Sequence, residues 1–337
     1  MSPTNPLSTA KVLVTGAGGP AAIAVIRSLE QDPSVTLVAA DMDPWASGLY
    51  MVAAENRCVV PAGLAPDFVD ELLAICVHKD VNILIPTVDA ELLPIARAAH
   101  RFAAQGIQIL GASEETLERT LDKFALAIAL EHVVRVPRTE FLGLTNATTW
   151  DYPVIVKPRQ GSGSRGVAQI NSDEELLALR LDRDMLIQEF LPGDEYSVDV
   201  LATREARVVA SVPRIRQRVD SGVSVAGYTV RNPALEDFAR TVVETLGLPF
   251  VSNVQIRIDA AGEPALLEVN PRVPGSLALT VAAGVDMARL AVDNLRGFAS
   301  PSYVAHREVA LVRFLDETVV EISDLVEGAM PLSVGAA

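Results

Sequence analysis

Apolar positions recur with two different spacings, and the change between them divides the chain. As far as residue 112, short apolar runs alternate with longer segments in which apolar residues return every third or fourth position. Such runs are typical of buried strands, and such segments are typical of amphipathic helices. Strands are expected at 11–15, 35–40, 81–86 and 107–110, and helices up to residue 29, at 68–79 and at 91–105. This alternation predicts a doubly wound parallel sheet.

A new helix opens the second half of the chain. Ser113 is a candidate N-cap with Glu114 and Glu115 in the first turn, and the helix is predicted to run to about residue 130. Short strands and turns then predominate, which indicates an α+β domain. Further helices are expected at 173–181, 234–246 and 285–295, and strands at 152–157, 166–170, 186–189, 196–203, 206–213 and 309–314. Segments 251–259 and 265–269 are expected to form a hairpin.

These patterns predict three segments. Residues 1–112 are expected to form an α/β domain, and residues 113–300 are expected to form the α+β domain. Residues 301–337 supply a closing strand and a tail.

Composition narrows the classes of partner. The chain has 337 residues, of which 50% are hydrophobic and 21% charged, with a net charge of −15. An acidic total disfavours a general nucleic-acid or anionic-membrane surface. Cys58 and Cys76 lack metal-site spacing, and no apolar run is long enough to span a bilayer. We expect a cytoplasmic protein without nucleic-acid or membrane partners.

The most informative polar residues follow the apolar run 265–267. Glu268 and Asn270 are two positions apart, so a strand would place both side chains on one face. Pro271 is expected to end the strand, and Arg272 would lie just beyond it. One carboxylate, one carboxamide and a nearby guanidinium suit Mg²⁺ that carries a polyphosphate. The alternative is a buried strand that ends in a polar turn.

Two other segments have features of a nucleotide site. Lys157 ends an apolar strand and precedes a Gly/Ser loop at 159–166, which would offer a charge and free backbone amides to phosphate. The alternative is a hairpin loop with an exposed lysine. The connector 188–197 could contact adenine through its backbone and ribose through a carboxylate. Gln255 could add an oxygen beside Glu268 from the neighbouring strand.

Taken together, these segments resemble the ATP-grasp enzymes. Lys123 within 121–124, Lys157 with its loop, the connector 188–195, and the motifs 253–255 and 268–272 occur in the order and spacing of that family. The first half resembles the pre-ATP-grasp domain, so the resemblance covers about residues 11–300. It implies a two-lobed ATP-grasp fold after the parallel sheet, with the smaller lobe at about residues 120–190.

The resemblance also implies ATP-binding roles. Lys123 and Lys157 would contact the α- and β-phosphates, and Glu195 would bind ribose. Hinge backbone for adenine would come from Glu189, Phe190 and Leu191. The loop residues expected to close over the β- and γ-phosphates are Ser162, Gly163, Ser164 and Gly166.

The same resemblance implies the metal and the reaction. Gln255, Glu268 and Asn270 would hold Mg²⁺ or Mn²⁺, while Arg272 and Lys157 would act on the transferring phosphoryl group. Enzymes of this family phosphorylate a carboxylate with ATP, after which an amine or ammonia displaces the phosphate. We therefore expect a carboxylate–amine ligase with small-molecule substrates. Homodimers are common in the family, which makes a homodimer a candidate assembly.

Candidate substrate residues come from three segments. Arg214, Arg216 and Arg218 alternate along a strand, so they would share one face and could bind a carboxylate, or merely form a solvated edge. Asp89 and Glu91 follow a strand of the parallel sheet and could bind an amine or cap the next helix.

A third segment, 273–276, includes the candidate substrate residues Gly275 and Ser276. Carbamoyl-phosphate synthetase has Ser-Arg-Ser here, so bicarbonate is disfavoured and the form resembles ligases that activate organic carboxylates.

Two rival functions remain open at this point. The segment 16–21 fits G-x-G-x-x-A after a strand, and Asp41 ends the next strand, as in NAD(P)-dependent oxidoreductases. However, Tyr152 and Lys157 lack the Tyr-x-x-x-Lys spacing of short-chain dehydrogenases. The second rival is a non-catalytic ATP-binding module, which the presence of all the expected phosphate and metal residues disfavours.

Overall fold

The fold is taken from a computed structural model. It describes residues 7–142, 150–161, 165–179, 184–220 and 223–326. The expected loop residues Ser162, Gly163 and Ser164 lie outside these ranges. Within them, every helix is too short or too polar to cross a bilayer.

The first domain is built around a five-stranded sheet with the order β3-β2-β1-β4-β5. All four strand pairs are parallel, which confirms the predicted doubly wound sheet. Its elements are β1 (Ala10–Val14), α1 (Pro20–Leu29), β2 (Val35–Asp41), β3 (Arg57–Val59), α2 (Phe68–His78), β4 (Ile83–Ile85), α3 (Asp89–Arg97), α4 (Ala99–Ala104) and β5 (Gln108–Ile109). Strand β3 was not expected from the sequence.

Two predicted helices are each divided in two. The segment 91–105 consists of α3 and α4, which meet at Ala98, where the backbone (φ −95°, ψ 9°) leaves the helical region. The helix after Ser113 consists of α5 (Glu114–Leu121) and α6 (Lys123–Leu130). Asp122 is extended and caps α6, because its Oδ1 accepts from the amides of Phe124 (3.0 Å) and Ala125 (3.1 Å).

The smaller lobe of the second domain contains an antiparallel sheet with the order β6-β9-β7-β8. Its elements are β6 (Thr139–Phe141), β7 (Val154–Pro158), β8 (Ala168–Ile170), α7 (Asp173–Ala178) and β9 (Met185–Glu189). Strand β7 ends next to Lys157, as the apolar run predicted.

The larger lobe contains a six-stranded antiparallel sheet with the order β14-β13-β10-β11-β12-β15. Its elements are β10 (Glu195–Ala202), β11 (Val208–Asp220), β12 (Val223–Thr229), α8 (Pro233–Leu246), β13 (Phe250–Ile258), β14 (Pro264–Asn270), α9 (Leu277–Ala282), α10 (Met287–Arg296) and β15 (Ala310–Val312). The hairpin of β13 and β14 is confirmed, and so is the closing strand β15.

One hydrophobic core joins the two domains. It contains Val25 and Ile26 of α1, Val212 of β11, and Met287 and Val292 of α10. Because α1 is packed against both domains, its N-terminal end has a fixed position relative to the six-stranded sheet.

Candidate functional site

A cleft of about 760 Å³ lies between the first domain and one face of the six-stranded sheet. Loops after β1 and β4 line one side, and residues of β10, β11, β13 and β14 line the other. The residues between β14 and α9 close one end. Ligands of open α/β sheets bind at the carboxyl ends of the strands, and the first sheet presents that edge to the cleft.

Polar residues occupy alternate positions on the sheet face that borders the cleft. Ser197 of β10 lies between Gln255 of β13 and Arg214 of β11, and Asp199 lies beside Asn253. The polar residues at 195, 197 and 199 alternate with apolar ones, so a period-two pattern could have indicated this face. Our sequence analysis assigned no role to Ser197, Asp199 or Asn253.

Asp199 is the buried acceptor that organises this face. Its Oδ1 accepts from Arg214 Nε (3.1 Å) and Asn253 Nδ2 (2.8 Å), and its Oδ2 accepts from Thr280 Oγ1 (2.6 Å). The pairing means that Arg214, itself buried, reaches the cleft with its charge already compensated.

The candidate metal ligands lie together. Glu268 is the cross-strand neighbour of Gln255, and Asn270 Nδ2 lies 3.5 Å from Glu268 Oε1. All three residues line the cleft. The part of the chain that is described has no cluster of three or more His, Cys, Asp or Glu side chains suited to a metal. A set with one carboxylate and two carboxamides suits Mg²⁺ that takes its remaining ligands from phosphate and water.

The two candidate phosphate lysines lie next to this set. Lys123 Nζ donates to the carbonyl of Gly161 (2.7 Å) and lies 3.6 Å from Glu268 Oε2. Lys157 is buried, and burial lowers its pKa to about 8, while Glu268 acts to raise the pKa and Lys123 lowers it further. Two lysines from different elements therefore meet one carboxylate beside the loop that starts at Gly161.

Hydrogen bonds of neighbouring residues fix the position of Lys123 at the start of α6. Asp122 caps this helix and also accepts from Arg159 Nε (2.6 Å), just beyond β7. Burial acts to raise the pKa of Asp122, but the hydrogen bonds from Arg159 and from the α6 amides hold it below its usual value. The backbone amide of Lys123 donates to the Arg159 carbonyl (3.1 Å), so α6 is joined to the lysine-bearing strand β7.

The candidate hinge for adenine lies outside the lining of the cleft. The Glu189 carboxylate accepts from Arg135 Nη2 (2.5 Å) and from the Arg138 amide (3.0 Å), so its side chain is used within the protein. Gly193 follows, and a Cβ there would lie 2.7 Å from Ile258, so the connector needs glycine.

Four further residues predicted for the ATP site lie among the described residues. Phe190 is half-buried and Leu191 is buried. Glu195 lies 3.7 Å from Arg216 Nη1. Gly166 has φ +72°, which favours glycine.

Arg272 is paired with a residue of the first domain. Its Nε and Nη2 donate to Asp89 Oδ1 (2.5 Å) and Oδ2 (2.8 Å), in a bidentate ion pair across the cleft. Asp89 was a candidate for binding a substrate amine, and here its carboxylate holds the arginine just beyond β14, the strand that bears Glu268 and Asn270. Both residues line the cleft.

Glu91 is buried away from the cleft, whereas Asp89 lines it. The Glu91 carboxylate accepts from Thr15 Oγ1. Burial raises its pKa to about 7, although the hydrogen bond from Thr15 opposes the change. The structure thus separates the two acidic residues that the sequence placed together.

The three arginines of β11 are also separated. Arg214 and Arg216 line the cleft, whereas Arg218 is exposed and outside the lining. The register of β11 against β12 shifts between Arg216 and Arg218 and again after Arg218. Such irregularities re-aim side chains, so strict alternation along the strand does not hold here.

The other candidate substrate residues lie at the end of the cleft. Gly275 and Ser276 both line it. Arg313, which the sequence analysis did not consider, donates to the carbonyls of Gly275 (Nη2, 2.5 Å) and Ser224 (Nε, 3.0 Å). No local motif marks Arg313, because it arrives from just beyond β15.

The glycine loop after β1 makes hydrogen bonds within the protein, and a bound dinucleotide would have to break them. The amide of Gly18 donates to Asp41 Oδ2 (2.8 Å), and Asp41 Oδ1 accepts from the Asp43 amide (2.9 Å). The loop amide and the expected ribose carboxylate therefore satisfy each other.

Two sequence profiles match the chain. Residues 182–318 match a family described as ATP-grasp in the biosynthetic pathway with Ter operon, and residues 12–110 match a PylC-like N-terminal domain. Together they span most of the chain, one in each of the two domains.

Solved structures share the fold at low sequence identity. Pyruvate carboxylase of Rhizobium etli has a TM-score of 0.70 at 18% identity, over 86% of this chain and 29% of that one. The L-amino acid ligase of Bacillus licheniformis has a TM-score of 0.68 at 17% identity, over 88% of this chain and 76% of that one. N5-carboxyaminoimidazole synthetase of Staphylococcus aureus has 0.70 at 14%, over 91% and 83%. The chain thus spans under a third of the carboxylase but most of the other two.

Proposed function

We propose that this chain, which belongs to the ATP-grasp superfamily, is a Mg-ATP-dependent ligase that joins a carboxylate to an amine or ammonia and releases ADP and phosphate. The observation that carries the proposal is that Lys123 and Lys157 both lie near Glu268, which lines a large polar cleft. Phosphoryl transfer depends on positioning and charge neutralisation more than on covalent protein chemistry. This cluster offers both.

One structural relative names a reaction of this type. It is the L-amino acid ligase of Bacillus licheniformis, of which this chain covers 76%. The relative shares the fold at 17% identity, so it supports the class of reaction and not a particular substrate.

ATP would lie between the smaller lobe and the six-stranded sheet. Lys123 and Lys157 would contact its phosphates, while the backbone of Glu189, Phe190 and Leu191 would contact adenine. Glu195 would accept from the ribose hydroxyls. The predicted phosphate loop, with Ser162, Gly163, Ser164 and Gly166, would close over the β- and γ-phosphates.

Gln255, Glu268 and Asn270 would hold the divalent cation against the phosphate oxygens. When bound, Mg²⁺ supplies charge neutralisation to the transferring phosphoryl group. Lys123 Nζ lies 3.6 Å from Glu268 Oε2, so Lys123 could contact a phosphate oxygen beside the candidate metal site.

The reaction would have two steps. A carboxylate oxygen of the acid attacks the γ-phosphorus of ATP, the bond from that phosphorus to the bridging oxygen breaks, and ADP leaves. The amine then attacks the acyl carbon, phosphate leaves with the electrons of the C–O bond, and the nitrogen releases one proton to water or to the leaving phosphate. Arg272, held by Asp89, would stabilise negative charge on the phosphoryl group in both steps.

An ADP-release assay tests this proposal. Mg-ATP is supplied with a pooled panel of amino acids, other organic acids and bicarbonate, with and without ammonia. ADP release that depends on one acid supports the ligase and begins to identify its substrate. ATP binding without ADP release in any arm would contradict the proposal and favour a non-catalytic module.

The dinucleotide alternative is separated by thermal shift. Stabilisation by ATP with Mg²⁺, but not by NADH or NADPH, is expected, because Asp41 already accepts from the Gly18 amide. Stabilisation by NADPH alone would contradict the ligase and favour an oxidoreductase.

A further inference from the structure

The N-terminal end of α1 opens onto the cleft without a cap. Gly19, Pro20 and Ala21 line the cleft, and Gly19, the N-cap residue, has no side chain to accept from the helix. The first turn contains no acidic residue. Among the described residues, no hydrogen bond uses the amide of Ala21 or Ala22. These amides and the helix dipole favour an anion at this point.

An unpartnered hydroxyl lies in the same corner. Ser276 lines the cleft, is only 5% exposed, and its Oγ has no hydrogen-bond partner among the described residues. It does not cap α9, although it stands at the N-cap position. A Cβ on the preceding Gly275 would lie 3.3 Å from Pro20 Cγ, so the serine loop packs directly against the start of α1. A buried hydroxyl without a partner is uncommon and indicates a missing one.

The charges around this corner are predominantly positive. Arg313 donates to the carbonyl of Gly275, and no carboxylate of the described residues pairs with it. Burial lowers the pKa of Arg313, and the nearby Arg214 and Arg27 lower it further. The acidic residues that line the cleft have partners of their own, since Asp89 holds Arg272 and Glu268 faces Lys123. Asp41, beside the glycine loop, accepts from Gly18.

We propose that the corner formed by the start of α1 and Ser276 binds a substrate carboxylate that is not phosphorylated. This inference rests on the proposed ligase function for its place in the reaction. The carboxylate would accept from the free α1 amides and from Ser276 Oγ, with Arg313 adding positive charge behind Gly275. It belongs either to an amino-acid nucleophile or to the distal end of a dicarboxylic acid. Ammonia with a simple monocarboxylic acid would leave the corner unused.

The corner can be tested by anion binding before any substrate is known. The protein is saturated with Mg²⁺ and a non-hydrolysable ATP analogue, so that the phosphate sites are filled, and is titrated calorimetrically with sulfate. We expect sulfate to bind the wild type, and Ser276→Ala to weaken the affinity about fivefold, the usual contribution of one hydrogen bond. No sulfate binding to the wild type would overturn the proposal.

Two further variants sharpen this titration. Gly19→Asp places a carboxylate at an extended N-cap position (φ −80°, ψ 150°) and should compete with the bound anion, abolishing sulfate binding. Ser211→Ala is the matched control, because Ser211 is also a buried serine without a partner but does not line the cleft. Equal sulfate affinity in all four proteins would also overturn the proposal.

The ADP-release assay then identifies the source of the carboxylate. Each amino acid is compared with its amide, and each dicarboxylic acid with its half-amide. Loss of turnover with the amino-acid amide assigns the corner to the nucleophile, and loss with the half-amide assigns it to the acid. Equal turnover of acids and amides overturns this inference and leaves the ligase intact. If no acid releases ADP, the ligase fails, and the sulfate titration still decides whether the corner binds anions.

Discussion

The two large sheets differ in which of their faces are buried in a hydrophobic core. In the five-stranded sheet, Val12, Leu13 and Val14 of β1 are fully buried, and so is every residue of β4. Val12 and Val14 belong to the core shared with the second domain, while Leu13 belongs to a core on the opposite face. In the six-stranded sheet, Val198 and Val200 pack against α8, whereas Ser197 and Asp199 face the cleft side.

The difference follows from how the strands are connected. Parallel strands require crossovers, whose helices cover both faces, so only the loops at the strand ends remain for ligands. Antiparallel strands can leave part of one face uncovered, and here the part of that face that lies beyond the shared core bears charged and amide side chains and lines the cleft. Substitutions inside the first sheet should therefore change stability, and substitutions on the cleft-lining part of the second sheet should change chemistry.

The largest effect is expected for Glu268→Ala. Loss of the only carboxylate among the three candidate metal ligands should reduce ADP release by about 10²–10³-fold or more, with little change in thermal stability. Glu263→Ala, at an exposed position before the same strand, is the control. Full turnover by the Glu268 variant would show that the metal site is wrongly assigned.

The opposite behaviour is expected for Leu84→Ala. Leu84 is fully buried in β4, and its truncation should lower the free energy of unfolding by about 2–5 kcal/mol. The kcat/KM of the folded fraction should stay close to that of the wild type. Denaturant unfolding and the ADP-release assay measure the two quantities, with the exposed Leu64→Ala as control. An unchanged unfolding midpoint would contradict the contrast between the sheets.

Lys157 should make ATP binding depend on pH. Its pKa is lowered to about 8, so the charge that attracts phosphate is present below pH 8 and is lost as the pH rises through it. Affinity for Mg-ATP should fall about tenfold between pH 7 and pH 9. Lys157→Met should bind more weakly at both values and without this dependence. A flat wild-type profile would place Lys157 away from the phosphates.

The smallest effect on activity is expected for Glu91→Gln in the first domain, which should change only the pH dependence of stability. Burial raises the pKa of Glu91 to about 7, so between pH 4.5 and 7 the folded state binds a proton that the unfolded state has released. Stability should therefore fall as the pH rises through this window, by at most about 1.4 kcal/mol per pH unit. The variant should lose this slope and keep its ATP affinity. If the free energy of unfolding of the wild type and of the variant depended on pH in the same way, the raised pKa of Glu91 would be contradicted.

Much of the fold could be predicted from local patterns. The strand and helix alternation of the first domain, the β13–β14 hairpin and the Ser113 cap were all visible in the sequence, because each depends on neighbouring residues. The adjacency of Glu268, Asn270 and Gln255 followed from strand periodicity and cross-strand pairing. Their roles as metal ligands remain a prediction, as do the roles of the ATP-site residues.

Other features depended on contacts between distant residues. The break at Asp122 is stabilised by Arg159, and the Arg272–Asp89 pair joins residues 183 positions apart in the chain. The bulges around Arg218 interrupt the strand period, and Arg313 reaches the cleft from the far end of the sequence.

The sequence by itself therefore determined the elements and the candidate chemistry, since hydrophobic periodicity and motif spacing act over short distances. The tertiary structure decided which charged groups pair with each other and which can still contact a ligand in the cleft. That outcome depends on burial and on partners that only packing brings together. Ser276 and the start of α1 meet for this reason, although more than 250 residues of chain separate them.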